Sequence, residues 1–208
     1  PVDIFFNRIP FLNPLTHENY IKMADHLAET AHQILPDEII QVVAYGCTSG
    51  TIEIGEKRIK DEIQKSKKDT QITTPITAAV KAFNLSKFKK IAVLTPYPKE
   101  VNRKVYNYLL NEGLDIMSFN SFNLNYDSEI AKVTKKSLIE TISSINLKNI
   151  DCLFVSCTAL KIVDLIDDLE KELNINLISS NQAIIWDSLR LSKINQKING
   201  FGRLFKTI

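Results

Sequence analysis

Short runs of β-branched and aromatic residues recur along this chain, at 2–7, 39–45, 90–95, 114–122, 151–156 and 175–179, with amphipathic stretches between them. That alternation constrains the fold most. Neighbouring parallel strands need a long crossover, which a helix supplies. Runs as uniformly apolar as Ile91-Ala92-Val93-Leu94 and Cys152-Leu153-Phe154-Val155 need cover on both faces. The pattern therefore predicts an α/β fold of doubly wound parallel sheets.

Helical segments are expected at 16–35, 52–66, 76–84, 98–112, 128–145, 160–173 and 181–191. In the first, Tyr20, Met23, Leu27, Ala31 and Ile34 fall on one face, with Thr16 placed to cap the start and Pro36 to stop it. No Pro-, Gly- or Ser-rich linker divides the chain. Two halves are expected from the fold itself, 1–88 and 89–191, with a crossing near 84–95 and the glycine-punctuated stretch 192–208 packing back and counted with the first half.

At 208 residues, 44% hydrophobic and 24% charged, the chain can bury a full core. The 26 Lys+Arg nearly balance the 24 Asp+Glu, and the basic runs at 65–68 and 87–90 lie in polar connections ahead of strands. They read as solvated faces, which argues against a nucleic-acid partner. No apolar stretch approaches the roughly 20 residues of a membrane span, and no signal-peptide pattern opens the chain. Three cysteines without a Cys-x-x-Cys pair argue against a disulfide framework or zinc site and for reduced thiols in the cytoplasm. Glycine-rich phosphate motifs are absent from the sequence, so no nucleotide cofactor is expected.

Two segments carry the chemistry: Tyr45-Gly46-Cys47-Thr48-Ser49-Gly50-Thr51 and Val155-Ser156-Cys157-Thr158-Ala159-Leu160-Lys161. Each ends an apolar run with a Cys-Thr pair and opens a predicted helix, at the strand edge where ligands of open α/β sheets bind. A helix N-terminus is expected to lower a thiol's pKa, so Cys47 and Cys157 are candidate catalytic thiols. Cys152, inside its run, reads as core. Thr48 and Thr158 are placed either to meet a substrate carboxylate or to cap. Ser49 and Gly50 let backbone amides approach an anion. Tyr97, in a Pro-flanked turn, can donate to a carboxylate or to a developing oxyanion, or can cover the following helix. Ser180 and Asn181 follow the last strand and can cap or touch substrate. Arg8 can face a carboxylate or form a surface ion pair. His17, His26 and His32 lie together in the first helix, away from both cysteine segments, and are expected to face solvent.

The chain resembles the aspartate/glutamate racemase superfamily, in the branch containing maleate cis-trans isomerase, arylmalonate decarboxylase and ectoine-utilisation proteins. The resemblance covers nearly the whole chain and rests on Arg8-Ile9-Pro10, Cys47-Thr48-Ser49-Gly50, Thr74-Pro75, Thr95-Pro96-Tyr97, Ser156-Cys157-Thr158-Ala159-Leu160, Ser179-Ser180-Asn181-Gln182-Ala183 and Gly200-Phe201-Gly202-Arg203-Leu204. It implies two pseudo-symmetric Rossmann-like halves, a site in the cleft between them, no metal or organic cofactor, a small carboxylate as substrate and a homodimer. It also implies a further strand and an Asn-bearing loop ahead of Pro1. Arylmalonate decarboxylase keeps only the second cysteine, so Cys47 favours two-thiol chemistry. The leading expectation is maleate-to-fumarate isomerisation, with Cys47 as nucleophile and Cys157 as proton partner. Thr48, Ser49, Thr158, Ala159, Tyr97, Arg8 and Asn181 would hold substrate. A two-base racemase using the same thiols, on an amino acid or hydantoin, and a non-catalytic small-acid binding module are the alternatives.

Overall fold

Every apolar run from residue 39 onward contains a strand of a parallel sheet in the computed structural model, which describes residues 2–207. The strands are β1 (Val42–Ala44), β2 (Gln71–Thr73), β3 (Lys90–Thr95), β4 (Asp115–Ser121), β5 (Cys152–Val155) and β6 (Leu177–Ser179). They form a two-stranded sheet, β1-β2, and a four-stranded sheet in the order β4-β3-β5-β6. In the larger sheet Leu94 pairs with Asn120 on one side and Val155 on the other, while Val155 pairs with Ser179. Residues 91–94 and 152–155 have no exposed surface, as expected of strands covered on both faces. Phe83 and Phe154 pack edge to face within this core, ring centroids 5.5 Å apart.

The helices are α1 (His17–Ala24), α2 (Leu27–His32), α3 (Thr48–Ile54), α4 (Glu56–Gln64), α5 (Pro75–Ser86), α6 (Lys99–Asn111), α7 (Asp127–Ile130), α8 (Lys135–Ser144), α9 (Ile166–Glu172) and α10 (Ser180–Leu191). Several expected helices are split. The 16–35 segment breaks between Ala24 and Leu27 and ends at His32, short of Pro36, although Thr16 does cap it by accepting from the Asn19 N–H. Gly55, at φ 90°, divides 52–66 because its backbone leaves the helical region. The 128–145 segment likewise becomes α7 and α8, and 160–173 is a turn and a 3₁₀ segment before α9 begins.

Residues 2–7, expected as a strand, are assigned to no strand. Their apolar side chains are exposed, Phe6 by 91%. The Asn7 side chain ties this segment to α2, donating to the Thr30 carbonyl at 3.0 Å and to Gln33 Oε1 at 2.9 Å. β2 was not expected, because Gln71-Ile72-Thr73 offers a single apolar residue. Among the described residues β1 pairs on one side only. Its chain around Val43 and Ala44 borders the cavity described below.

α10 joins the two sheets. It follows β6 yet packs closely on α5 and also meets β1 and β2. Its buried Asp187 accepts from Thr73 Oγ1 and from Lys81 Nζ, both at 2.6 Å. The C-terminal stretch docks beside α9 and α10: buried Glu170 accepts the Arg203 N–H at 2.7 Å, and Gln182 Nε2 donates to the Phe201 carbonyl at 2.7 Å.

Candidate active site

The carboxyl ends of β1 and β5 deliver Cys47 and Cys157 to one cavity of about 450 Å³. Such a volume is ordinary for a small-molecule site. Arg8, Ser49, Tyr97, Thr158 and Ala159 also border it, and one wall is apolar, with Leu27, Ala31, Ile34, Val43 and Ile63.

Cys47 is the N-cap of α3, and its sulfur accepts the Gly50 N–H at 3.2 Å. Ser49 Oγ lies 3.9 Å from the same sulfur and donates to the Tyr20 hydroxyl at 2.8 Å. Gly50 is required here. A Cβ at that position would lie 2.5 Å from the Tyr45 hydroxyl and 2.8 Å from Cys47 Sγ. The first-turn amides of Thr48 and Ser49 have no acceptor within the helix, so they remain free for an anion.

Cys157 differs from the expectation. No helix begins there; a turn follows, and the residue holds φ 127°, a conformation that L-residues rarely adopt. Its sulfur accepts the Ala159 N–H at 3.4 Å.

Both thiols also depart from the expected lowering. Burial pushes Cys47 above its usual value, and the Gly50 amide, with the Ser49 and Tyr45 hydroxyls close by, only partly offsets this. Burial pushes Cys157 up to about 11 against the opposing effect of the Ala159 amide and the nearby Tyr97 phenol. The charge of an ionised Cys47 raises Cys157 further, so the two thiols oppose each other's ionisation. Tyr97 is 1% exposed, and its hydroxyl has no conventional hydrogen-bond partner. Burial first, then the neighbouring Cys157, raises that phenol well above its ordinary value.

The other expected site residues are engaged with the protein. Thr48 Oγ1 donates to Ser180 Oγ at 2.9 Å, Thr158 Oγ1 to the Gly46 carbonyl at 2.8 Å, and Asn181 Nδ2 to the Thr158 carbonyl at 2.9 Å. These bonds connect the two cysteine segments and the start of α10. Arg8 is exposed and, among the described residues, pairs with no carboxylate. The three histidines are exposed, but His17 is not idle: with Lys104 it meets Glu53, whose side chain is 2% exposed. Cys152 is core. Sequence reasoning missed Tyr20 and Tyr45 as neighbours of Cys47. Tyr20 reads as one more apolar-face residue, whereas the position of Tyr45 two residues ahead of the cysteine was an available signal. Among the described residues no cluster of three His, Cys, Asp or Glu side chains is placed to hold a metal, and no helix is long and apolar enough to cross a membrane.

A sequence model of the family described as arylmalonate decarboxylase matches residues 6–205. The maleate isomerase of Nocardia farcinica is 21% identical over 180 residues, covering 83% of this chain and 72% of that protein. The arylmalonate decarboxylase of Bordetella bronchiseptica is 27% identical over 136 residues, 64% of this chain and 57% of that one. Among solved structures, a cysteine-to-serine mutant of the Nocardia farcinica maleate cis-trans isomerase, with a covalently bound succinylcysteine intermediate, aligns with a TM-score of 0.86 at 19% identity, over 95% of this chain and 83% of that one.

Proposed function

Because this chain belongs to the arylmalonate decarboxylase family and brings two cysteines to one cavity, we propose that it isomerises a small cis-enedioate, maleate to fumarate, through a covalent adduct on Cys47 and without an added cofactor. One observation carries the reading: Cys47 and Cys157 border the same cavity, with the Tyr97 hydroxyl buried beside Cys157. The succinylcysteine held by the Nocardia farcinica mutant supports the same kind of adduct here.

Cys47 first gives up its proton to solvent; as the thiolate it adds to one olefinic carbon, forming a C–S bond and moving the π electrons onto the other carbon and its carboxylate. Cys157 gives its proton to that carbon. The former double bond, now single, rotates. The Cys157 thiolate then takes a proton back from the same carbon, the C–S bond breaks, and fumarate leaves with Cys47 again a thiolate. The roles are unequal because the environments are. Burial raises both thiols; Cys157 is pushed up to about 11 and is the one that keeps its proton, while Cys47 sits at the N-cap of α3 with its sulfur on the Gly50 amide. Mutual repulsion favours one thiolate and one thiol over two thiolates.

The substrate carboxylates are held by the free first-turn amides of Thr48 and Ser49, by the Thr158–Ala159 backbone and by Arg8 at the cavity edge. Tyr97 donates to the oxyanion that develops on addition. Thr158 and Asn181 act through the loop they fix. A reducing, cytoplasmic setting keeps both thiols free, and assembly as a homodimer belongs to the same proposal, read by sedimentation equilibrium.

Proton NMR of a maleate solution tests the reading. Wild-type protein should build up the fumarate signal, and Cys47→Ala should fall to the uncatalysed rate; an unchanged rate in Cys47→Ala contradicts the nucleophile assignment. Solvent deuterium entering Cα of an amino acid, with loss of optical rotation, would instead identify a racemase.

A further inference from the structure

Ser180 is the first residue of α10 but does not cap it. Ser179 does so: its hydroxyl accepts the Gln182 N–H at 3.1 Å, and Gln182 Oε1 accepts the Ser179 N–H at 3.4 Å. The Ser180 hydroxyl has no exposed surface and accepts twice. One donor is Thr48 Oγ1 at 2.9 Å, from the residue after Cys47; the other is the backbone N–H of Cys157 at 3.0 Å. A hydroxyl has two acceptor lone pairs, so its accepting capacity is full. Ser180 is also not among the residues that border the cavity. It is therefore poorly placed to touch substrate and well placed to fix the two residues that must.

The second observation concerns Cys157. Backbone at φ 127° persists in a non-glycine residue only where its surroundings over-determine it. The bond to Ser180 grips the peptide N–H of that same residue. The other bond between the cysteine segments, from half-buried Thr158 Oγ1 to the carbonyl of exposed Gly46, lies at the surface, so the buried fastening is the serine.

We propose that Ser180 is a positioning residue that ties the two cysteine segments together and holds Cys157 in the conformation that aims its thiol at the substrate. The kinetic consequence rests on the isomerase reading; the effect on thiol reactivity does not. If Cys157 is displaced, proton transfer to and from the adduct slows while carboxylate binding persists. Losing Ser180 should therefore lower kcat and leave KM nearly unchanged.

The test compares Ser180→Thr with Ser180→Val, which share shape and volume and differ in the hydroxyl. Ser179→Ala serves as a control that weakens the same helix through its cap. Ser180→Val should show kcat for maleate about 10- to 100-fold below Ser180→Thr, the loss typical of a small misplacement of a reacting group, with KM equal within about threefold. Quenched Ser180→Val should also carry more Cys47 adduct at steady state, because its discharge needs Cys157. Ser179→Ala should lose melting temperature but little kcat. Iodoacetamide labelling of the substrate-free proteins, followed by peptide mass spectrometry, gives a readout that needs no turnover. Labelling of Cys157 relative to Cys47 should rise at least about threefold in Ser180→Val over Ser180→Thr, as the held loop loosens. A wild type that does not isomerise maleate removes the isomerase reading, and labelling still decides the role of Ser180. Equal labelling ratios in the two variants overturn the proposal, as does equal kcat in an active enzyme.

Discussion

Gly50 has no room for a side chain. A methyl there meets both the Tyr45 hydroxyl and Cys47 Sγ at under 3 Å, so either the phenol or the Cys47 thiol must move. Gly50→Ala should abolish turnover and destabilise by about 1–3 kcal/mol, the usual penalty for overpacking, as read by denaturant melts. Tyr97 presents the opposite case. Its hydroxyl has no conventional partner to lose, so Tyr97→Phe should fold as well as wild type or better. If that hydroxyl serves the developing oxyanion, kcat should nevertheless fall about 10²- to 10³-fold. A drop in kcat matched by a drop in melting temperature would mean that the phenol is structural.

α3 carries Cys47 at its start and buried Glu53 near its end, and the carboxylate is met by His17 from α1 and Lys104 from α6. That arrangement ties α3, and with it Cys47, to α1 and α6. Lys104→Ala should cost about 1–2 kcal/mol, less than a fully buried pair because the Lys104 ammonium remains partly in water, and should raise KM only slightly. Five of the six strands expected from the sequence were legible as apolar runs, and Thr16 as a cap. Residues 2–7 misled, because an apolar run becomes a strand only beside a partner. The opposite error hid β2, whose pairing with β1 supplies what its own residues do not. The turn after Cys157 was misread for a local reason: Thr158-Ala159-Leu160 has helical propensity, but the φ of Cys157 turns the chain away before a helix can start.

For the whole molecule, parallel α/β architecture followed from alternation alone, whereas the meeting of the thiols did not. Thr48 bonds Ser180 across 132 positions and Thr158 bonds Gly46 across 112, contacts that no local pattern announces. The matched placement of the two Cys-Thr pairs at strand ends pointed to both thiols as catalytic in advance, and the family resemblance added the cleft between two halves. Their shared burial also has a measurable effect on stability. Both site thiols and the phenols of Tyr20, Tyr45 and Tyr97 are raised, so the folded protein holds these protons more tightly than the unfolded chain does. This stabilisation is complete below the unfolded values, about 8.5 for Cys and 10 for Tyr, and is lost as pH rises through the folded ones. Melting temperature should therefore fall between pH 8.5 and about 11, where Cys157 titrates, and the slope should be shallower in Cys157→Ser.

The unequal roles of the two thiols are the central claim, and peptide mapping of Cys157→Ser after incubation with maleate tests it most directly. Without its proton partner the adduct should stall, leaving a mass increase of one maleic acid on Cys47 and none on Cys152. An unmodified Cys47 in a variant that still releases fumarate would contradict it.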